Sequence, residues 1–197
     1  MRSVVVGFGV TGRAVATWLR QRGDEVVVFD DRADDALIAD AAVQGVTIEV
    51  TPAGSDLTAR LAGAGLLVPS PGVPVSHPVY RAAAEAGVPV RSEIELASEV
   101  CEASANTRLV AVTGTNGKTT VTTLVTAILE QSGFRAVAAG NIGVPLIEAV
   151  YGDHQFVVAE VSSFQLQYTE RFRPSVSCWL NLAPDHLDWH PDMAHYA

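Results

Sequence analysis

The residues in this chain best suited to chemistry lie in Val112-Thr113-Gly114-Thr115-Asn116-Gly117-Lys118-Thr119-Thr120. A β-forming run turns there on glycines into a lysine and threonines that open a helix. Val112 stands where the strict phosphate-loop pattern has its first glycine; the rest of the pattern is kept. Such a loop cradles phosphates with backbone N–H groups, while Lys118 neutralises the β and γ charge and Thr119 holds Mg²⁺. The ordinary alternative is a solvated lysine at a helix start, but the helix macrodipole disfavours a cation in the first turn.

Two later strand ends deliver further polar groups. Phe156-Val157-Val158-Ala159-Glu160 is an apolar strand ending in a carboxylate. Asn181-Leu182-Ala183-Pro184-Asp185-His186-Leu187-Asp188 follows another strand and brings a histidine and acids to the same edge. In a parallel sheet these positions share the carboxyl edge with the glycine loop, where ligands bind. The spacing of His186, Asp188, His190, Asp192 and His195 does not match a zinc site. A hard Mg²⁺ shared by Glu160, His186 and ATP phosphates suits the loop better.

A second glycine loop, Gly7-Phe8-Gly9-Val10-Thr11-Gly12, matches G-x-G-x-x-G and follows a strand. Asp30 closes the next strand, where an acid would hydrogen-bond a ribose. Alone, the loop reads equally as an NAD site or as a nucleotide-fold turn holding no dinucleotide. Ser70-Pro71-Gly72-Val73-Pro74 is either a rigid turn or a ligand loop at that edge, where Ser70 could meet a diphosphate or uracil.

The elements that must position these residues alternate throughout. Residues 3–6, 25–29, 47–50, 66–68, 109–112, 136–139, 156–159 and 176–180 read as strands, with 89–90 as a short one. Residues 12–21, 33–44, 55–62, 77–86, 92–101 and 118–131 read as helices. The pattern predicts an α/β protein: a Rossmann-like parallel-sheet domain over 1–104, then the start of a P-loop-type ATPase domain over 105–197. The boundary falls in the small polar stretch near Ser104. The last residues read as a helix cut in its first turns, so the second domain is expected to be unfinished.

Composition narrows the classes. With 48% hydrophobic and 18% charged residues, a buried core is expected. A net charge of −9 argues against a nucleic-acid surface. No apolar run is long enough for a membrane span, and the N-terminus reaches glycine too soon for a signal peptide. Cys101 and Cys178 lack metal or disulfide spacing and are expected to be buried thiols in a reducing cytoplasm.

Residues 113–120, together with Gly140-Asn141-Ile142-Gly143, Glu160-Val161-Ser162-Ser163-Phe164-Gln165-Leu166 and residues 181–188, resemble four ordered motifs of the Mur ligases. The first of these is shared with folylpolyglutamate synthetases. The N-terminal unit, with its Gly7–Gly12 loop and Ser70-Pro71-Gly72, is similar to the family branch that adds D-glutamate to UDP-N-acetylmuramoyl-L-alanine. The resemblance implies an ATP- and Mg²⁺-dependent amide ligase of cytoplasmic peptidoglycan synthesis. It assigns Gly114, Thr115, Asn116, Gly117, Lys118, Thr119 and Thr120 to ATP, and Thr119, Glu160 and His186 to Mg²⁺. Lys118, Glu160 and His186 would be catalytic, and Val10, Thr11, Asp31, Arg32, Ser70, Gly72 and Asn141 would line the UDP-sugar site. A third domain and a carbamylated lysine are expected beyond the last residue, so the chain alone is expected to be inactive. An NAD-dependent dehydrogenase and a non-catalytic nucleotide-binding fragment remain as alternatives.

Overall fold

A computed structural model describes residues 1–104 and 106–197 and divides them into two compact units, Met1–Glu93 and Ile94–Ala197. In the first unit, β1 (Arg2–Val6) leads into α1 (Val10–Gln21), β2 (Glu25–Asp30), α2 (Asp35–Val43), β3 (Thr47–Val50), α3 (Ser55–Leu61), β4 (Leu66–Pro69) and α4 (Pro78–Ala86). The strands form one parallel sheet in the order β3-β2-β1-β4. The valine runs of β1 and β2 suit strands buried on both faces. Val4, Phe29 and Leu67 pack with Leu57 and Leu61 of α3 and Val79 and Ala83 of α4 into one core. Successive strands run outward from β1 to β3 and then jump back to β4. The sheet therefore reverses direction between β1 and β4, the crevice in which open α/β sheets bind ligands.

The second unit takes most of α5 (Glu93–Ala103), then β5 (Arg108–Thr113), α6 (Lys118–Gln131), β6 (Ala136–Gly140), α7 (Leu146–Ala149), β7 (Phe156–Glu160), α8 (Ser163–Leu166), β8 (Val176–Trp179) and α9 (Met193–Tyr196). Its sheet is again parallel, ordered β6-β7-β5-β8, with the phosphate-type loop leaving the interior strand β5. Both sheets carry helices between parallel strands, so the architecture is the expected one: a Rossmann-like domain followed by a P-loop-type α/β domain.

The units part after Glu93, earlier than the stretch ending at Ser104 where composition alone places a boundary. Side chains of α5 explain why. Glu95 Oε1 accepts from the Arg171 backbone N–H at 2.8 Å and Ser98 Oγ accepts from that of Arg173 at 3.0 Å, so the helix is tied to the second unit. Ala105, the expected first residue of the second domain, lies outside the described residues. The expected strand at 89–90 is only an isolated bridge between Leu67 and Val90. Cys101 is buried, and burial pushes its thiol up to about 11, whereas Cys178 is only half-buried; both are free. Among the described residues no helix is long and apolar enough to cross a membrane.

Gly12 holds α1 against the loop that precedes it. A Cβ there would sit 1.9 Å from the Gly7 carbonyl oxygen, a contact that only a backbone shift could relieve. Gly12→Ala is therefore expected to destabilise the first unit by about 1–3 kcal/mol, the range for forcing extra volume into a packed site. A lower urea midpoint by circular dichroism checks this; an unchanged midpoint would mean that the loop yields freely.

Candidate functional site

The carboxyl edge of the first sheet is a set of loops stitched to one another. Phe8 N–H donates to Asp30 Oδ2 at 2.8 Å and Arg32 N–H to Asp30 Oδ1 at 2.8 Å, joining the loops after β1 and β2. Ser70 Oγ donates to the Gly7 carbonyl at 3.1 Å, joining the loop after β4. Asp30 thus spends an acceptor on each oxygen holding backbone. Beside its expected ribose contact, it therefore also clamps the loops.

The first-unit residues assigned to a UDP-sugar come together on this edge. Val10 and Thr11 open α1, whose N-cap is Gly9; a Cβ on Gly9 would meet nothing within 4 Å, so the backbone is open to a ligand. Val10 is 71% exposed, a poor place for an apolar side chain unless something covers it. Asp31 and Arg32 follow β2 and are exposed, and Ser70 and Gly72 follow β4. The Thr51 hydroxyl and, beyond it, the His77 imidazole hold the Asp31 carboxyl below the usual carboxylate range. Asn141 lies in the second unit, where its side chain serves Glu160.

Glu160 organises that second site. Its side chain is 2% exposed at the end of β7, and a carboxylate at such burial requires partners. Thr119 Oγ1 donates to Oε2 at 2.7 Å and Asn141 Nδ2 to Oε1 at 2.7 Å. The Asn141 backbone N–H meets the Glu160 carbonyl at 2.9 Å. Gly140, at φ +94°, is required beside it because a Cβ would lie 2.5 Å from that carbonyl oxygen.

The glycine loop is anchored more heavily than its motif suggests. Asn181 Oδ1 accepts from Asn116 N–H at 2.9 Å while Asn181 Nδ2 donates to the Asn116 carbonyl at 3.0 Å. Thr115 N–H donates to the Asn181 carbonyl at 3.2 Å. The Thr115 hydroxyl accepts from Ala183 N–H at 2.9 Å and lies 3.1 Å from the Tyr196 hydroxyl. The Thr115 and Asn116 amides are therefore spent on the neighbouring loop. The free donors lie at the start of α6, whose first intrahelical bond runs from Val121 N–H to the Gly117 carbonyl. The amides of Lys118, Thr119 and Thr120 precede it and have no intrahelical acceptor. Lys118 Nζ donates to the carbonyls of Gly114 at 2.7 Å and Thr115 at 3.1 Å, which keeps the ammonium folded over the loop.

His186 lies on the loop after β8 that also carries Asn181. It has φ +52°, an uncommon backbone state for a residue with a side chain, and its ring lies 4.7 Å from that of Phe164. It lines a cavity of about 390 Å³ shared with Gly114, Thr115, Lys118, Ser163 and Tyr196. His190, 3% exposed, contacts Ser163 Oγ and His195 Nδ1, each at 2.9 Å; burial, then the neighbouring histidines, hold its imidazole below the ordinary value.

The donor set suits a magnesium nucleotide. Thr119 and Glu160 carry hard oxygen donors in contact with each other, beside the free amides that open α6. Among the described residues no three His, Cys, Asp or Glu side chains are grouped to hold a metal. A cation here would rest on Thr119, Glu160 and the oxygens of its phosphates, the usual economy of Mg²⁺ sites. Sequence reasoning missed Tyr196, which has no motif, and saw Asn181 only as a motif's first letter.

Residues 1–92 match the Mur ligase MurD-like N-terminal domain, and residues 112–197 match the Mur ligase middle domain. The UDP-N-acetylmuramoylalanine–D-glutamate ligase of Syntrophotalea carbinolica is 43% identical over 194 residues, covering 98% of this chain and 42% of that protein. The ligase of the same name from Frankia casuarinae is 44% identical over 199 residues, with 98% and 41% covered. The chain thus spans less than half the length of these curated relatives. Among solved structures, the UDP-N-acetylmuramate–alanine ligase of Thermotoga maritima superposes with a TM-score of 0.54 at 23% identity, covering 100% of this chain and 45% of that one. The UDP-N-acetylmuramate:L-alanyl-gamma-D-glutamyl-meso-diaminopimelate ligase of Neisseria meningitides gives 0.57 at 21%, covering 98% and 64%. At these identities the structures speak to the fold alone.

Asn141→Ala removes the donor on Glu160 Oε1 and leaves a buried acceptor unpaired. The expected loss is about 1–3 kcal/mol of stability, the cost of an unsatisfied buried group. Urea titration of the variant measures it, and an unaltered midpoint would show that Glu160 finds another partner.

Proposed function

The chain belongs to the Mur ligase family, and from that premise we propose that its parent protein is the ATP-dependent ligase joining D-glutamate to UDP-N-acetylmuramoyl-L-alanine. The observation that carries the reading is the contact of Thr119 with Glu160 immediately behind Lys118, within a chain so similar to ligases of that name. The activity is proposed for the whole protein, since its relatives extend well beyond these residues. Both substrates and ATP belong to the cytoplasm, where the reaction would feed peptidoglycan synthesis.

In this reaction the alanyl carboxylate attacks the γ-phosphorus of ATP, and the bond to the β–γ bridging oxygen breaks to release ADP. The D-glutamate amine then attacks the acyl phosphate carbon; inorganic phosphate leaves and the amine loses a proton. The chain's part is chiefly positioning and charge neutralisation. The Lys118, Thr119 and Thr120 amides would seat the phosphates, with the braced Gly114–Gly117 turn shaping the loop beneath them, and Lys118 Nζ would follow the charge onto the transferring group. Thr119 and Glu160 would hold Mg²⁺, which offsets phosphate charge when bound. His186, on the cavity shared with Lys118, would contribute to a second cation position. Val10, Thr11, Asp31, Arg32, Ser70 and Gly72 would bind the UDP-sugar; Asn141, assigned to it by the resemblance, braces Glu160 in the second unit.

A dehydrogenase reading leaves the whole second loop without a purpose.

In the whole protein, Lys118→Ala is expected to lower the ligation rate by about a hundredfold or more, the scale of losing one transition-state charge contact. Release of inorganic phosphate dependent on both D-glutamate and the UDP substrate is the measurement. Turnover at the unmodified rate would remove Lys118 from the catalytic group.

A further inference from the structure

One histidine in the first unit lies outside the motifs that point to the UDP-sugar, yet it is wired to one of their residues. His77 caps α4: its Nδ1 accepts from the Val79 backbone N–H at 3.2 Å, with Pro78 at the first helical position. An amide can only donate, so Nδ1 must offer a lone pair and the ring proton must sit on Nε2. Nε2 lies 3.3 Å from both carboxylate oxygens of Asp31, across the gap to the loop after β2. The cap therefore dictates the tautomer, and the tautomer dictates that His77 donates to Asp31.

The platform beneath the ring is rigid. Val79, two residues on, is fully buried with Ala82 and Ala83 in the first unit's core. The preceding loop is fixed by His77 N–H on the Pro74 carbonyl at 2.8 Å and by Tyr80 Oη on the Val73 carbonyl at 3.1 Å. His77 is 11% exposed in its side chain, whereas that of Asp31 is 62% exposed. One partner is thus held by the core and the other faces solvent with acceptor sites to spare. The Thr51 hydroxyl and His77 both favour the ionised carboxyl.

We propose that His77 is a positioning residue, fixing the Asp31 carboxylate so that it accepts an N–H or O–H of the nucleotide in a UDP-linked ligand. This assignment rests on the UDP-sugar reading of the first unit's edge. A carboxylate ordered before binding spares the complex the entropy of immobilising it, which is worth a few-fold to about tenfold in affinity.

Two substitutions separate the cap from the contact. Asn is a good N-cap, so His77→Asn keeps an acceptor for Val79 N–H but withdraws the donor from Asp31. His77→Gln returns an amide N–H close to the Nε2 position. Calorimetric titration of the 197-residue chain with UDP-N-acetylmuramoyl-L-alanine, paired with thermal unfolding, reads both. His77→Asn is expected to bind about five- to tenfold more weakly with an unchanged unfolding midpoint, and His77→Gln to recover most of the loss. In an Asp31→Ala background, His77→Asn should weaken binding no further. ¹⁵N shifts of the ligand-free chain should show the Nε2–H tautomer. Unaltered affinity in His77→Asn, an equal loss without Asp31, or an Nδ1–H tautomer would each overturn the proposal while leaving the ligand reading intact. Failure of the unmodified chain to bind the UDP compound would overturn both.

Discussion

A carboxylate withdrawn from water is among the most demanding groups a protein can bury, and Glu160 sets the terms for the second unit. It costs several kcal/mol unless its oxygens are paired, so Thr119 and Asn141 must each be brought to 2.7 Å. Those two residues belong to α6 and to the turn after β6, while Glu160 itself ends β7. One side chain thus fixes the start of the phosphate-facing helix against two strand ends. The close turn at Gly140 and the orientation of the Thr119 hydroxyl follow from it. The same pairing leaves a hydroxyl and a carboxylate together, a pair of hard donors that a divalent cation could exploit.

The two glycine loops obey one architectural rule with different means. Each leaves an interior strand of a parallel sheet near the point where strand order reverses, and each opens a helix whose amides face outward. In the first unit, neighbouring side chains brace the loop: Asp30 from one side and Ser70 from the other. In the second, Asn181 braces it by pairing with the Asn116 backbone as another strand would. Bracing consumes donors. Phe8, Thr115 and Asn116 lose their amides to it, so ligand contact falls to the helix starts and to exposed Gly9.

Much of this was legible in the residues because local chemistry decides it. Valine-rich runs separated by glycine turns announce parallel strands, and a glycine turn followed by Lys118 and Thr119 announces a phosphate loop. Thr119 and Glu160 were readable as partners because a parallel sheet puts strand ends on one edge. What escaped depends on contacts distant in sequence. Nothing in Tyr196 signals a bond to Thr115, some eighty residues away. That Asp30 also clamps two loops is not readable from its position, because the two amides it holds are presented only by the folded loop. The unit boundary escaped for the same reason: a polar stretch near Ser104 marks flexibility of composition, whereas Glu95 and Ser98 bind α5 to residues 171 and 173. The one-turn helices α7 and α8 are too short to show a helical period at all.

The central claim is that the two glycine loops serve two different ligands, a UDP-linked substrate in the first unit and a magnesium nucleotide in the second. Titrating the chain calorimetrically with UDP-N-acetylmuramoyl-L-alanine, and separately with NAD, tests it without requiring turnover. The account predicts heat of binding for the UDP compound and none for NAD. Binding of NAD alone would make the first loop a dinucleotide site and contradict the ligase reading of this chain.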